Sequence, residues 1–516
     1  MPVHDPGPAA DTGVAAAGQH DPARASPNGT AGRGLRQSPR LAGRLTGRVP
    51  PPWRLPLGTY AACQVIFGFW WGAFYTGLMS RDSIVYLQHV TTGPWVDNHS
   101  VLYDSMLWLS LHTTGDLGAL TLAQTIAMSA ALAYTVSALR RLGVRGRWTA
   151  LAAVIVAALP PLGSFVIFVW KDVPFTICAY LVVPTLAHLV SLRGPAGWQH
   201  DRRVKRLIAV LGLELLGMCL FRQDGFLIVA LAAAALAVLI TGIRIRLIAV
   251  AASAICLTFL LHVVVYPAVG VQRPGSSLIV GPSWADIAVA YARSPSSFTP
   301  ADQRLMARVV PLAEWKKSAD CYDSDKTNYL PHFTARAERV KVQLLELWLR
   351  VLRQSPGAIL GARICRGSIA WAVFASHGAV AFPYDSRIPA GLFGAARQQD
   401  VRDNPYRHDL ATRPLWGKSV AHRLRVRSTS RLVAWLLWRG ATWSYIAYLT
   451  VGIFALRRRN WALLSLAAIV AAQQLTALAD SPTQVFRYMA TPLFAGVMLL
   501  PLLLARSPGH EAGGQG

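Results

Sequence analysis

The chain has 516 residues, 53% of them hydrophobic and only 15% charged. A soluble domain carries about a quarter charged residues, so this composition excludes an ordinary soluble globule and points to a polytopic membrane protein. The formal net charge of +26 does not signal nucleic acid, because many of the basic residues sit in short clusters between apolar runs, where membrane topology places them.

Residues 1–52 are rich in Gly, Ala, Pro and Arg and lack apolar periodicity. They are expected to form a disordered cytoplasmic tail. A signal peptide is not expected, since its apolar region would have to begin near Leu57. Residues 506–516 read as a second disordered tail.

A membrane helix needs about 20 mostly apolar residues. Candidates are 57–79, 117–139, 148–168, 173–191, 206–222, 225–242, 247–266, 440–456, 460–479 and 485–505, about ten in all. The expected fold is therefore an all-α polytopic membrane protein. An N-terminal membrane module (53–266) carries a first outer loop (80–116). A helical extracytoplasmic insert (267–430) follows, and C-terminal membrane helices (431–505) close the chain.

Placing the N-terminus in the cytoplasm and alternating gives the inner turns "RRLGVRGR", "RGPAGWQHDRRVKR", "GIRIR" and "RRRN", all basic. The short outer turns "RDS", "WKD", "FRQDG" and "DSPTQVFR" are mixed in sign. This is the positive-inside pattern, and it puts both termini in the cytoplasm.

The same assignment carries the candidate site residues to the outer face. In the first outer loop these are Asp82, Asp97 and His99. "DSIVYLQHV" has helical spacing suited to lying along the interface. A short amphipathic helix follows "GPW", and Asp97 or Asn98 reads equally as its N-cap. "FVWKDVPFT" supplies Lys171 and Asp172, as a functional pair or as a plain hairpin turn with Pro174 opening the next helix. "LFRQDGF" supplies Arg222 and Asp224, and "DSPTQVFRYM" supplies Arg487 and Tyr488. Arg487 can snorkel or clamp a phosphate with two parallel hydrogen bonds. Gln473 and Gln474 lie within a span, where hydrogen bonds between helices would satisfy them.

Within the insert, "WADIAVAYAR", "TPADQRLMARVVPLAEW" and "TARAERVKVQLLELWLRVLRQ" read as helices, and "SPGAILGARICRGSIAWAVF" as an interfacial or membrane-dipping one. Thr299 is an expected N-cap, with Pro300 at the first helical position and Gln303 completing a capping box. "SADCYDSDKTNYLPHF" reads as a loop whose aspartates could attract a divalent cation, without EF-hand spacing. "RQQDVRDNPYRHDLATRPLWGK" reads as irregular. Cys321 and Cys365 both lie in the insert, where a disulfide is open to them, whereas Cys63, Cys178, Cys219 and Cys256 fall in apolar runs.

The order of these motifs resembles the multi-spanning GT-C glycosyltransferases, in particular bacterial mannosyl- and arabinosyltransferase-like members, over residues 57–505. The features are Asp…Gly…Asp-x-His in the first outer loop, a Trp-Lys-Asp-x-Pro turn, an Arg-x-Asp-Gly turn, a helical outer insert and Arg-Tyr on the last span. Ser100 stands where many members have proline, and Asp224 where related sequences often have Asn.

The resemblance implies inverting transfer of a sugar from a polyprenyl-phosphate donor to an envelope glycan, lipid or protein on the extracytoplasmic side. By the same resemblance Asp82, then Asp97, would serve as base. Arg487, Lys171 and Arg222 would meet the donor phosphate, with His99, Asp172, Asp224 and Tyr488 as further substrate contacts. The resemblance names no certain cofactor, and a divalent cation is open to such chemistry. The competing readings are a transporter or flippase of lipid-linked or anionic substrates, a surface-glycan polymerase or ligase of another fold, an inactive GT-C-like protein and a membrane scaffold.

Overall fold

The computed structural model describes residues 51–194, 197–198, 202–275, 280–374, 404–410 and 412–506. All of them lie in one compact unit, Pro50–Gly516. The expectations for the N-terminal tail up to residue 50, for the tail beyond 506 and for 375–403 of the insert lie outside them.

A helix stands at each of the ten expected places. The first ten helices are α1 (Pro51–Ala73), α2 (Arg81–Thr91), α3 (Val101–Thr114), α4 (Gly118–Arg141), α5 (Gly146–Ala158), α6 (Pro160–Val166), α7 (Asp172–Ser191), α8 (Arg202–Phe221), α9 (Gly225–Leu239) and α10 (Arg244–Leu260). By length and apolarity, five described helical segments are able to cross a membrane by themselves: Gly118–Arg141, Asp172–Ser191, Arg244–Ala268, Trp461–Asp480 and Phe486–Leu504. The pair α5–α6, bent by 74°, makes a sixth if it is one broken span.

That bend has a local cause. Leu159 is extended, and Pro160 and Pro161 follow it, removing backbone donors and disfavouring helix in the residue before them. The short α6 then docks on α1 through Gly163, where a Cβ would come within 2.1 Å of the Trp70 Nε1.

Polar contacts between helices hold the bundle as well as apolar packing. The Gln64 amide donates to Thr125 (3.1 Å) and accepts from Ser129 (2.9 Å), and Thr135 bonds the Tyr180 hydroxyl at 2.6 Å. Each such bond is worth about 0.6–2 kcal/mol between membrane helices. Gln473 donates to the Tyr488 carbonyl (2.9 Å) and Gln474 to that of Ala370 (2.7 Å), so each makes the expected hydrogen bond between segments, although Gln473 Oε1 has no partner among the described residues.

The 24-residue α4, about 36 Å long at 1.5 Å per residue, separates two chemically different ends. Near its start, Thr121 donates to the Thr76 carbonyl at the end of α1. Past its far end, the Arg458 guanidinium donates to the carbonyls of Leu142 (3.0 Å) and Arg506 (2.6 Å). Two of the basic turns and the start of the C-terminal tail therefore meet at that far end.

Several expectations for connecting segments are corrected. Helix α2 is covered by the rest of the protein on most of its surface, with Ile84, Val85, Tyr86, Leu87 and Val90 buried. The cap of α3 is neither Asp97 nor Asn98 but Ser100, whose hydroxyl accepts from the Tyr103 amide at 3.1 Å. In the insert the box on Thr299 is closed by Asp302, one residue before the expected Gln303, because the third helical position reaches back to the cap amide. The "TARAERV…" run is two helices, Phe333–Arg339 and Lys341–Gln354. The "SPGAIL…" run is also two, Pro356–Arg366 and Ser368–Trp371.

The insert has its own core of Trp284, Phe298, Trp315, Phe333, Leu344 and Ile359, among others. Within it the buried Asp286 is neutralised by Arg363 (2.6 Å) and Arg366 (2.9 Å). Cys321 and Cys365 are joined in a disulfide, with Cα atoms 5.6 Å apart.

Candidate active site at one end of the bundle

Four separate stretches deliver charge to the end of the bundle opposite the basic turns. The start of α2 is fixed first. The Ser80 hydroxyl caps it, accepting from the Asp82 amide (3.2 Å), while Ser83 returns a bond to the Ser80 amide (2.9 Å). Ser83 also donates to the Val169 carbonyl (2.8 Å), and the Trp170 indole donates to Ser80. These bonds bind the Asp82 turn to the turn that carries Lys171 and Asp172.

From there a continuous chain of ion pairs runs across the site. Arg487 Nη1 donates to Asp82 Oδ2 at 2.5 Å and lies 3.7 Å from Asp172 Oδ2. The other oxygen of Asp172 accepts from Arg222. Arg222 then grips Asp224 with both arms, at 2.8 and 2.7 Å. Tyr488 lies between the two arginines, its ring 5.0 Å from Arg222 and 5.2 Å from Arg487. The Trp170 ring supports Arg487 at 4.9 Å.

The turn holding Arg222 and Asp224 is tight because Gly225 has no side chain. A Cβ there would come within 2.2 Å of the Met218 carbonyl oxygen. Gly225→Ala is therefore expected to destabilise the protein by about 1–3 kcal/mol through overpacking, read as a lowered melting temperature in detergent.

Lys171 stands just before α7 and makes no hydrogen bond or ion pair among the described residues. Burial pushes its ammonium down, against the pull of Asp172. For Asp82, burial acts upward, but Arg487 foremost outweighs it and holds the carboxyl well below the usual carboxylate range. Asp224 is likewise held low, because Arg222 prevails over burial. Burial, with Lys171 nearby, pushes the His99 imidazole down to about 3, so His99 is neutral at physiological pH. Its ring meets Tyr86 edge-on at 5.0 Å and lies 6.3 Å from His89.

The structure separates Asp97 from this chain of pairs. Asp97 bonds His262 at 2.5 Å, its amide donates to the Gln272 carbonyl (2.8 Å), and its own carbonyl accepts from Gln223 (3.0 Å). It thus ties the 80–116 loop to the helical turn that follows α10. Arg81 went unread in the sequence, yet its guanidinium lies 3.9 Å from the centre of the Tyr329 ring in the insert. Its place beside Asp82 was the available signal.

A small polar pocket opens at the Arg222 end, lined by Arg222, Asp224, Gln473, Thr476, Asp480 and Tyr488, among others. Among the described residues no group of three or more His, Cys, Asp or Glu is gathered as metal ligands would be. The arrangement offers anchored cations for an anion and carboxylates that hold them, beside a polar pocket.

No protein-family model matches the chain, and comparison with curated proteins finds no match. Among solved structures, the chain is similar to the archaeal oligosaccharyltransferase AglB from Archaeoglobus fulgidus, described in complex with an inhibitory peptide and a dolichol-phosphate. The likeness has a TM-score of 0.44 and 14% identity, and covers 87% of this chain and 50% of that one. This chain therefore spans about half the length of that neighbour.

Proposed function

We propose that the protein is a membrane glycosyltransferase that takes a sugar from a polyprenyl-phosphate donor and passes it to an extracytoplasmic acceptor. One observation carries this reading. The linked set Asp82–Arg487–Asp172–Arg222–Asp224, with Lys171 beside Asp172 and without an ion pair among the described residues, assembles three cations around one end of the helical bundle. A departing phosphate needs such positioned cations for the charge that develops on it. A lipid-linked phosphate would bring that anion to the membrane surface.

In this reading Lys171, Arg487 and Arg222 hold the donor phosphate. Asp82, Asp172 and Asp224 fix the guanidiniums in place, so that little reorganisation is left for the moment of reaction. Collection of the charged groups at helix ends favours transfer at a surface over passage through the membrane, which places polar groups near its midplane.

The test is binding of polyprenyl-phosphate sugars to the full chain in nanodiscs. Wild type is expected to bind at least one donor saturably, with Arg487→Ala weakening it by about tenfold or more, which corresponds to about 1.4 kcal/mol. Absence of binding across mannosyl and arabinosyl donors would sink the proposal.

A further inference from the structure

The insert is fastened to residues that flank the charged site. The Ser324 amide and hydroxyl both bond the Pro482 carbonyl, each at 2.9 Å. Asp323 pairs with Thr483 in an antiparallel bridge. The Cys321–Cys365 disulfide holds the same segment from within the insert, and Arg81 lies over its Tyr329. Residues 482–483 lead straight into Arg487, and Arg81 precedes Asp82. Two anchors of this segment are thus neighbours of the two ends of the Asp82–Arg487 pair.

Between these anchors lies Asp325, at the start of the short helix Asp325–Asn328. Its side chain is half-buried and makes no hydrogen bond or ion pair among the described residues. The site carboxylates differ in this respect, since Asp82, Asp172 and Asp224 are each bound by an arginine. Asp82 is committed to holding Arg487. A carboxylate engaged in this way is a poor proton acceptor, because accepting a proton would forfeit the pairing.

We propose that Asp325 is the proton acceptor of the transfer reaction, placed over the donor by the insert. The assignment rests on the transferase reading above. The acceptor hydroxyl oxygen attacks the anomeric carbon of the sugar, forming the new C–O bond. The bond from that carbon to the donor phosphate oxygen breaks, and its electron pair leaves with the phosphate. The hydroxyl proton passes to the Asp325 carboxylate and is then released to water.

The surroundings suit the role. Burial, then the negative charges of Asp323 and Asp82, raise the Asp325 carboxyl to about 7, against the opposing pull of Arg81 and Arg487. On its own segment it also faces Tyr329, while Lys326 is drawn off to Asp320 at 2.6 Å. A base is most effective when its proton affinity lies near the working pH.

The experiment uses full-length protein in nanodiscs with farnesyl-phosphate mannose or farnesyl-phosphate arabinose as probe and water as the acceptor, reading release of free sugar against pH. Asp325→Asn is expected to lower the rate about 100-fold or more, with donor affinity unchanged within about threefold, as for a residue that acts on chemistry rather than binding. The acidic limb of the wild-type profile should disappear with it, and Asp325→Glu should restore part of the rate. Infrared difference spectra between pH 6 and 8 should show a protonated carboxyl band in wild type that Asp325→Asn lacks. An Asp325→Asn protein that binds donor and keeps the wild-type rate or acidic limb overturns this assignment and leaves the transferase reading standing. A wild type that binds neither probe removes both.

Discussion

Asp82→Asn is expected to lower the turnover of sugar transfer by about 10²–10³-fold, the usual cost of disabling one preorganised stabiliser of developing charge. The change removes the negative charge from the 2.5 Å contact that fixes Arg487 Nη1, leaving at most a weaker neutral acceptor. Asp172 remains only 3.7 Å away, so the guanidinium stays near the site but is no longer aimed. Two effects on donor affinity oppose each other, because the cation loses an anchor while the phosphate loses a nearby negative charge. The donor dissociation constant is therefore expected to move by less than about tenfold, so that the loss falls on turnover. A double-mutant cycle with Arg487→Ala checks the physical origin. Residues that act through one contact are non-additive, with a coupling of about 0.5–3 kcal/mol. Strict additivity would show that the pair does not work as a unit.

Lys171→Ala should act on the other side of that division, on donor binding. Lys171 is the cation of the site without a bond or ion pair among the described residues, so its charge is not already spent on a carboxylate. Loss of a hydrogen bond to a charged group costs about 1.5–3 kcal/mol, which predicts donor affinity weaker by about 10–100-fold. The pH dependence has a definite sign. Burial lowers the proton affinity of Lys171, so the binding-competent ammonium is lost as pH rises through a value below that of an ordinary lysine. Donor affinity should fall toward alkaline pH in wild type, and this dependence should vanish in Lys171→Ala. Titration calorimetry across pH reads both. A flat wild-type profile together with unchanged affinity in the variant would remove Lys171 from the donor site.

The candidate site was legible to different depths. Asp82, Asp172, Arg222, Asp224 and Arg487 were each visible as ionisable residues at the mouth of an apolar run, and the structure links all five. Asp97 stood second to Asp82 as a candidate base, in the same 80–116 loop and close to a histidine, and read equally as a helix cap. The structure gives it to His262 instead. The short window around each aspartate could not name its partner, because that depends on which distant helix end lies opposite. The loop "SADCYDSDKTNYLPHF" drew notice for its aspartates as a cation site. Its position over Pro482 and Thr483 gives those residues another meaning, and that position depends on how the insert closes back on the last span.

The sequence by itself determined the membrane class, the places of the ten helices and the division between basic turns and mixed ones. These are properties of short windows. Apolar run length decides whether a segment can cross a bilayer, and flanking lysine and arginine bias its direction. Only the tertiary structure decided the partners. Asp82 and Arg487 are 405 residues apart in sequence, and no periodicity or spacing encodes that approach. It follows from helix packing, from the tight Gly225 turn and from the docking of the insert, each the summed result of many weak contacts across the bundle. An ionisable residue brought to such a site either meets an opposite charge, as Asp82 and Arg487 do, or has its ionisation shifted by burial, as Lys171 does. Which charge it finds is settled by the fold.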